Sequence, residues 1–120
     1  MLNKVNRLKK RKEFNFIYKK GAIVHSANFT IHVARSFRRV TQIGISVSKQ
    51  VGNSVVRSRV KRIISEACRL NIQKMAVKNY VITAKPSIAT MKSNEVEQEL
   101  LRVLKKNNLL LKDKLSNNKL

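Results

Sequence analysis

Acidic side chains are scarce in this 120-residue chain: six Asp and Glu stand against 27 Lys and Arg, a formal net charge of +21. A protein that hydrolyses phosphodiesters with its own metal ions needs clustered carboxylates, holding the ions about 4 Å apart. The acids here are Glu13, Glu66, Glu95, Glu97, Glu99 and Asp113. Glu95 and Glu99 share a helix face, but carboxylates at a helix start answer the helix dipole. A metal-free route needs an acid–base pair of histidines, and only His25 and His32 are present; each reads as a strand-surface residue. One cysteine, Cys68, excludes an internal disulfide and a Cys-based zinc site; it falls at a core edge, as a packing residue. No run approaches the ~20 apolar residues of a membrane span. The N-terminus "MLNKVNRLKKRKEF" has no apolar signal-peptide region, which points to a cytoplasmic protein. Tryptophan is absent and 5% of residues are aromatic, so each ring beside the basic surface is informative.

What is present is enough for one domain. The chain is 42% apolar, has no internal repeat and no Pro- or Ser-rich linker, and has the length of one ordinary domain. Residues 1–12 read as a basic arm. "EFNFIYKK" (13–20) is helical, with Phe14, Ile17 and Tyr18 at i, i+3, i+4 and Gly21 as the stop. "NFTIHVAR" and "QIGISVSK" alternate as strands with one buried and one open face; a short strand near 22–25 precedes them. Gly52 breaks that pattern, and Asn53 or Ser54 can cap a helix running to Leu70. "YVITAK" is a further strand, ended by Pro86. Ser93 can cap a last helix to about Lys106, and residues 107–120 read as a frayed basic tail. The fold class is α+β, in the order α-β-β-β-α-β-α, with helices on one side of the sheet.

The helix at 54–70 concentrates the charge. At 100° per residue, with Arg57 at 0°, Val56, Val60, Ile63 and Ala67 fall between about 240° and 300°, flanked by Ile64 and Leu70. That is the expected core stripe. Ser54, Ser58 and Ser65 fall between about 60° and 100° as an exposed valley. Lys61 on one bank and Arg62 and Arg69 on the other make a surface for a phosphate backbone. Arg59, near 200°, borders the core and reads as structural. A charge of +21 on so short a chain attracts polyanions, so nucleic acid is the expected partner. A calmodulin target or membrane-surface helix would carry Trp, Phe or Leu where this one carries β-branched and small residues.

"KQVGNSVVRSRVKRIISEACR" (49–69) resembles the signature helix of the bacterial ribonuclease P protein subunit. The match runs through Lys49, Gly52, Asn53, Val55, Arg57, Arg59, Lys61 and Arg62. "RLKKRKEFNFIYKKG" is similar to that family's N-terminal helix and "YVITAKP" to its final strand. The resemblance spans about residues 5–105. Ser58 stands where the family usually has Asn, and Ser65 where many members carry Arg. The resemblance implies a four-stranded mixed sheet with a left-handed crossover around the basic helix, and a domain of residues 1–106. It implies a subunit of an endoribonuclease that removes the 5′ leader from precursor tRNA. The chemistry would be carried by a catalytic RNA, with Mg²⁺ held mainly by that RNA and no cofactor in the protein. Lys49, Asn53, Arg57, Arg59, Lys61 and Arg62 would contact the catalytic RNA. Phe14, Tyr18, His32 and Lys85 would border the leader. The expected partners are therefore the catalytic RNA and precursor tRNA, with no membrane and no obligate protein partner. Two rivals share the charge: a ribosomal or other structural RNA-binding protein, and a helix-turn-helix DNA binder. The second needs a helix directly before the recognition helix, where this sequence has a strand.

Overall fold

Alternation along residues 29–35 sets the two faces of the sheet. The computed structural model describes residues 2–111. Helix α1 (Arg11–Lys20) is followed by strands β1 (Ala22–His25), β2 (Phe29–Arg35) and β3 (Gln42–Ser46). Helix α2 (Ser54–Asn71), strand β4 (Lys78–Ala84) and helix α3 (Ser93–Lys106) complete the order. The sheet runs β1-β2-β4-β3. Its first two pairs are antiparallel, and β3 and β4 are parallel with α2 spanning the connection. Parallel pairing requires such a crossover, because a tight turn cannot join strands that point the same way. The α+β class, the mixed four-stranded sheet and the element order are those the sequence implies.

One face carries Phe29, Ile31 and Val33 of β2, with Tyr80, Ile82 and Ala84 opposite them on β4 and Ile43 and Ile45 on β3. These join Val60, Ile64, Val96, Leu100 and Leu104 of α2 and α3 in the main core. The other face is small and polar, and α1 lies across part of it. Ile17 is fully buried against Val81 and Leu8, with Phe14 and Ala34 beside them. The expectation of helices on one side therefore needs correction: α2 and α3 cover one face and α1 the other.

The chain ends differ from expectation as well. Residues 2–8 are not a free arm. Leu2 sits in the main core, and the Leu8 N–H donates to the Ile43 carbonyl at 3.1 Å, adding a one-residue parallel bridge to the β3 edge. Residues 107–111, read as the start of a frayed tail, fold back. Leu109 is buried, its carbonyl accepts from Ala76 N–H at 2.7 Å, and Leu110 bridges Met75. The rest of that expected tail, 112–120, lies outside the described residues. Finally, α3 begins at Ser93 rather than after it: Glu95 accepts from the Lys92 N–H at 2.8 Å, so a carboxylate caps the helix in place of the serine hydroxyl.

Candidate nucleic-acid interface

Asn53 starts α2 by accepting the Val56 N–H at 3.0 Å, which leaves its amide nitrogen to act outward. The buried side of α2 consists of Val60, Ile64, Ser65, Ala67, Cys68 and Asn71. It is turned from the stripe the wheel implies, so Leu70 is exposed and Ser65 buried. The wheel allows for one neighbouring layer. The N-terminal segment supplies a second, and Leu2, Leu8, Lys61 and Ser65 line one cavity. Ser54 and Ser58 stay exposed, as do Lys49 on the preceding turn, Lys61 and Arg62. Arg57 gives its Nε to the Gly52 carbonyl at 3.1 Å, and its terminal nitrogens remain for an anion. Arg69 forms a fork with Glu66, at 2.9 and 3.0 Å, which holds the Glu66 carboxyl down at about 2.

Arg59 differs from the other cations. Its two terminal nitrogens donate to the Ala89 carbonyl at 3.1 Å and the Met91 carbonyl at 2.8 Å. The guanidinium ties α2 to the 3-10 turn Pro86–Thr90, and it is spent on the fold.

Across the sheet, α1 leaves a groove. The strand register places Ser46, Thr83, Thr30 and His25 in one row across all four strands. The next row is Gly44, Val81, His32 and Ile23. The Phe14 ring lies over Gly44, so closely that a Cβ there would come within 2.4 Å of it. Tyr18 stands one helical turn on, with its hydroxyl 3.4 Å from Thr83 Oγ1 and its ring edge-on to His32 at 4.8 Å between centroids. Lys9, Arg11, Phe14, Asn15, Tyr18 and Ser46 line the groove's cationic end. Burial first, then repulsion from His25, lowers the His32 pKa, so its imidazole is neutral at pH 7. Lys85 is half-buried and donates to the Ser26 carbonyl at 2.5 Å; an ammonium has three protons, so two remain for a ligand. Of the residues the sequence singles out, Phe14, Tyr18 and His32 thus share one groove, with Lys85 on the turn that follows β4. Lys49, Asn53, Arg57, Lys61 and Arg62 lie on or just before α2. The sequence alone does not single out Thr83, Lys9 or Arg11. Alternation within "YVITAK" puts Thr83 on the Val81 face, but only the pairing of β4 between β2 and β3 brings it to the groove.

Among the described residues the carboxylates are engaged by separate partners. Glu13 pairs with Arg38 at 3.1 Å and Glu97 accepts from Asn71 at 2.8 Å. Glu99 is buried and accepts from the Asn28 N–H at 3.0 Å, from Asn28 Nδ2 at 2.6 Å and from Ser26 Oγ. Burial works to raise the Glu99 pKa, but these bonds outweigh it and the net direction is down. Among the described residues no group of three or more His, Cys, Asp and Glu converges. Burial pushes the Cys68 thiol up to about 12, which leaves no thiolate for attack. No helix among the described residues is long and apolar enough to cross a membrane. The arrangement offers a cationic bank on α2 and a ring-edged groove under α1.

A sequence model of the family described as Ribonuclease P matches residues 2–108. The chain belongs to the ribonuclease P protein family. A ribonuclease P protein component from Alkaliphilus metalliredigens is 37% identical over 106 residues, covering 88% of this chain and 96% of that protein. One from Exiguobacterium sibiricum is 37% identical over 107 residues, covering 88% and 92%. Among solved structures, a Staphylococcus aureus RNase P protein mutant with defective mRNA degradation activity aligns with a TM-score of 0.82 at 31% identity, covering 88% and 91%. The Thermotoga maritima RNase P protein aligns at 0.76 with 23% identity, covering 83% and 96%, a likeness of fold. In this chain α2 and α1 cover opposite faces of the sheet, yet Lys61 of the bank and Phe14 of the groove line one cavity beside β3.

Proposed function

We propose that this chain is the protein subunit of ribonuclease P, binding the catalytic RNA through the outer face of α2 and the 5′ leader of precursor tRNA in the groove under α1. Lys49, Arg57, Lys61 and Arg62 meet RNA phosphates, and the Asn53 amide nitrogen donates beside them. Arg59, grouped with them by resemblance, acts by fixing α2 in place. The observation that carries the leader assignment is the row Ser46–Thr83–Thr30–His25, with Tyr18 at Thr83 and Phe14 over Gly44 in the next row. Ser46, Thr83 and Thr30 have short side chains, while the rings and cations sit at the groove's border. A single strand suits such a site, because bases stack on rings with little sequence preference and cations follow the backbone. Lys85, at the end of β4, adds a fixed positive charge.

In this reading the hydrolysis belongs to the RNA, which holds the Mg²⁺, and the protein acts in the cytoplasm by binding and positioning. The test is reconstitution with a bacterial catalytic RNA and precursor tRNA at low Mg²⁺. A correctly placed 5′ cut, stimulated by the protein and absent without the RNA, is expected. No stimulation, with tight binding to ribosomal RNA instead, would favour a structural RNA-binding protein.

A further inference from the structure

Phe16 lies on α1 opposite the groove and is 47% exposed; Phe37, from the β2–β3 loop, is 42% exposed and meets it edge-on, 5.4 Å between centroids. Two half-exposed rings are a large share of the aromatics in a chain with four Phe, two Tyr and no Trp. The loop that carries Phe37 is held in place. Ser36 Oγ donates to the Val40 carbonyl at 2.9 Å, and Arg38 reaches both Gln42 and Glu13 at 3.1 Å. Arg39 takes φ 58°, a left-handed conformation uncommon outside glycine.

The surface between the groove and this pair is continuous and basic. Going round α1 at 100° per residue from Tyr18, one crosses Arg11, Asn15, Lys19 and Lys12 before reaching Phe16. All four are exposed. Half the girth of a helix about 10 Å across is about 15 Å, a few nucleotides of extended strand. The one acid on the far flank, Glu13, is paired with Arg38.

We propose that the Phe16–Phe37 pair is a second stacking platform for the precursor leader, taking an unpaired base upstream of the nucleotides in the groove after the strand has crossed α1 over Arg11, Lys12 and Lys19. It rests on the groove reading for the strand's direction of approach. Rings ringed by cations suit a base flanked by phosphates, which favours nucleic acid over an apolar protein partner.

The test uses the reconstituted ribonucleoprotein and precursor tRNAs whose leaders lengthen one nucleotide at a time. Phe16→Ala and Phe37→Ala should leave short-leader binding unchanged. Beyond a threshold length they should weaken binding, roughly 5- to 150-fold as for loss of one stacked base. Phe16→Tyr keeps the ring and should bind as the parent does. Phe14→Ala serves as the groove control, and its loss should set in at a shorter leader. Loss at Phe16 without loss at Phe14 would fail the groove and keep the platform. No loss on any leader, equal loss on all leaders, or a loss that tracks a lowered melting temperature would overturn the platform and leave the pair as a surface staple.

Discussion

Gly44→Ala is the sharpest probe of how the groove is built. A Cβ at Gly44 would lie 2.4 Å from Phe14 Cζ and 2.7 Å from Cε2. Carbon atoms pack at about 3.5–4.0 Å, so the ring must retreat by more than about 1 Å. It is hemmed in by Leu8, Ile17, Val81 and Ala34. Overpacking of this kind costs about 1–3 kcal/mol. Against that, Gly→Ala at an ordinary strand position returns about 0.4–1 kcal/mol by restricting the unfolded chain. A net destabilisation of about 1–2 kcal/mol is expected. The ring would be pushed into the groove, so binding of long-leader precursor should weaken while binding of a one-nucleotide-leader substrate holds. Urea unfolding gives the stability change and substrate titration of the reconstituted complex gives the binding change. The decisive version is the double-mutant cycle. In a Phe14→Ala background there is no ring to meet, and Gly44→Ala should be neutral or stabilising. Equal destabilisation in both backgrounds would show that the ring does not require the glycine.

Four further outcomes follow from the geometry. Arg59→Ala should lower stability by about 1.5–3 kcal/mol through loss of its charged bonds to Ala89 and Met91, with the salt dependence of RNA binding unchanged; a flattened slope and an unchanged melting temperature would reverse its assignment. Lys61→Ala and Arg62→Ala should each reduce the log–log salt slope by roughly 0.7–0.9 without moving the melting temperature, and an unmoved slope would remove them from the interface. Glu99→Ala should destabilise by about 2–3 kcal/mol, since the Asn28 and Ser26 donors lose their acceptor; calorimetry showing less than about 0.5 kcal/mol would mean water replaces it. Glu66 has a depressed carboxyl, so its stabilising contribution is present above the ordinary value of 4.5 and is lost as pH falls through about 2. In Arg69→Ala the Glu66 titration, followed by NMR, should move upward, and an unmoved midpoint would contradict the fork.

The strands and the basic helix were legible because their patterns are local. "NFTIHVAR" alternates, and every residue of its apolar face is buried. What periodicity does not carry is the identity of the neighbour. Phe14, Ile17 and Tyr18 show that α1 buries one side, yet nothing in that spacing says which sheet face receives it. Ser65 is the same case: a polar residue on an apparently open side of α2, buried once the N-terminal segment runs past it. Leu109 was hidden in a low-complexity run, where composition outweighed the two leucines that close over Met75. The aromatic pair Phe16–Phe37 needed the β2–β3 loop to fold back onto α1, a contact between residues 21 apart in sequence.

A cross-link reports most directly whether the groove under α1 holds the leader. Ser46 is half-buried and borders the groove with Phe14 and Tyr18. Ser46→Cys offers an attachment point for a short photo-cross-linker, and Cys68 will not compete, being buried with its thiol pushed up to about 12. In the reconstituted complex with long-leader precursor tRNA, adducts are expected on leader nucleotides and should vanish when the leader is cut to one nucleotide. Adducts confined to the catalytic RNA or to the tRNA body, unchanged by leader length, would contradict leader binding in the groove.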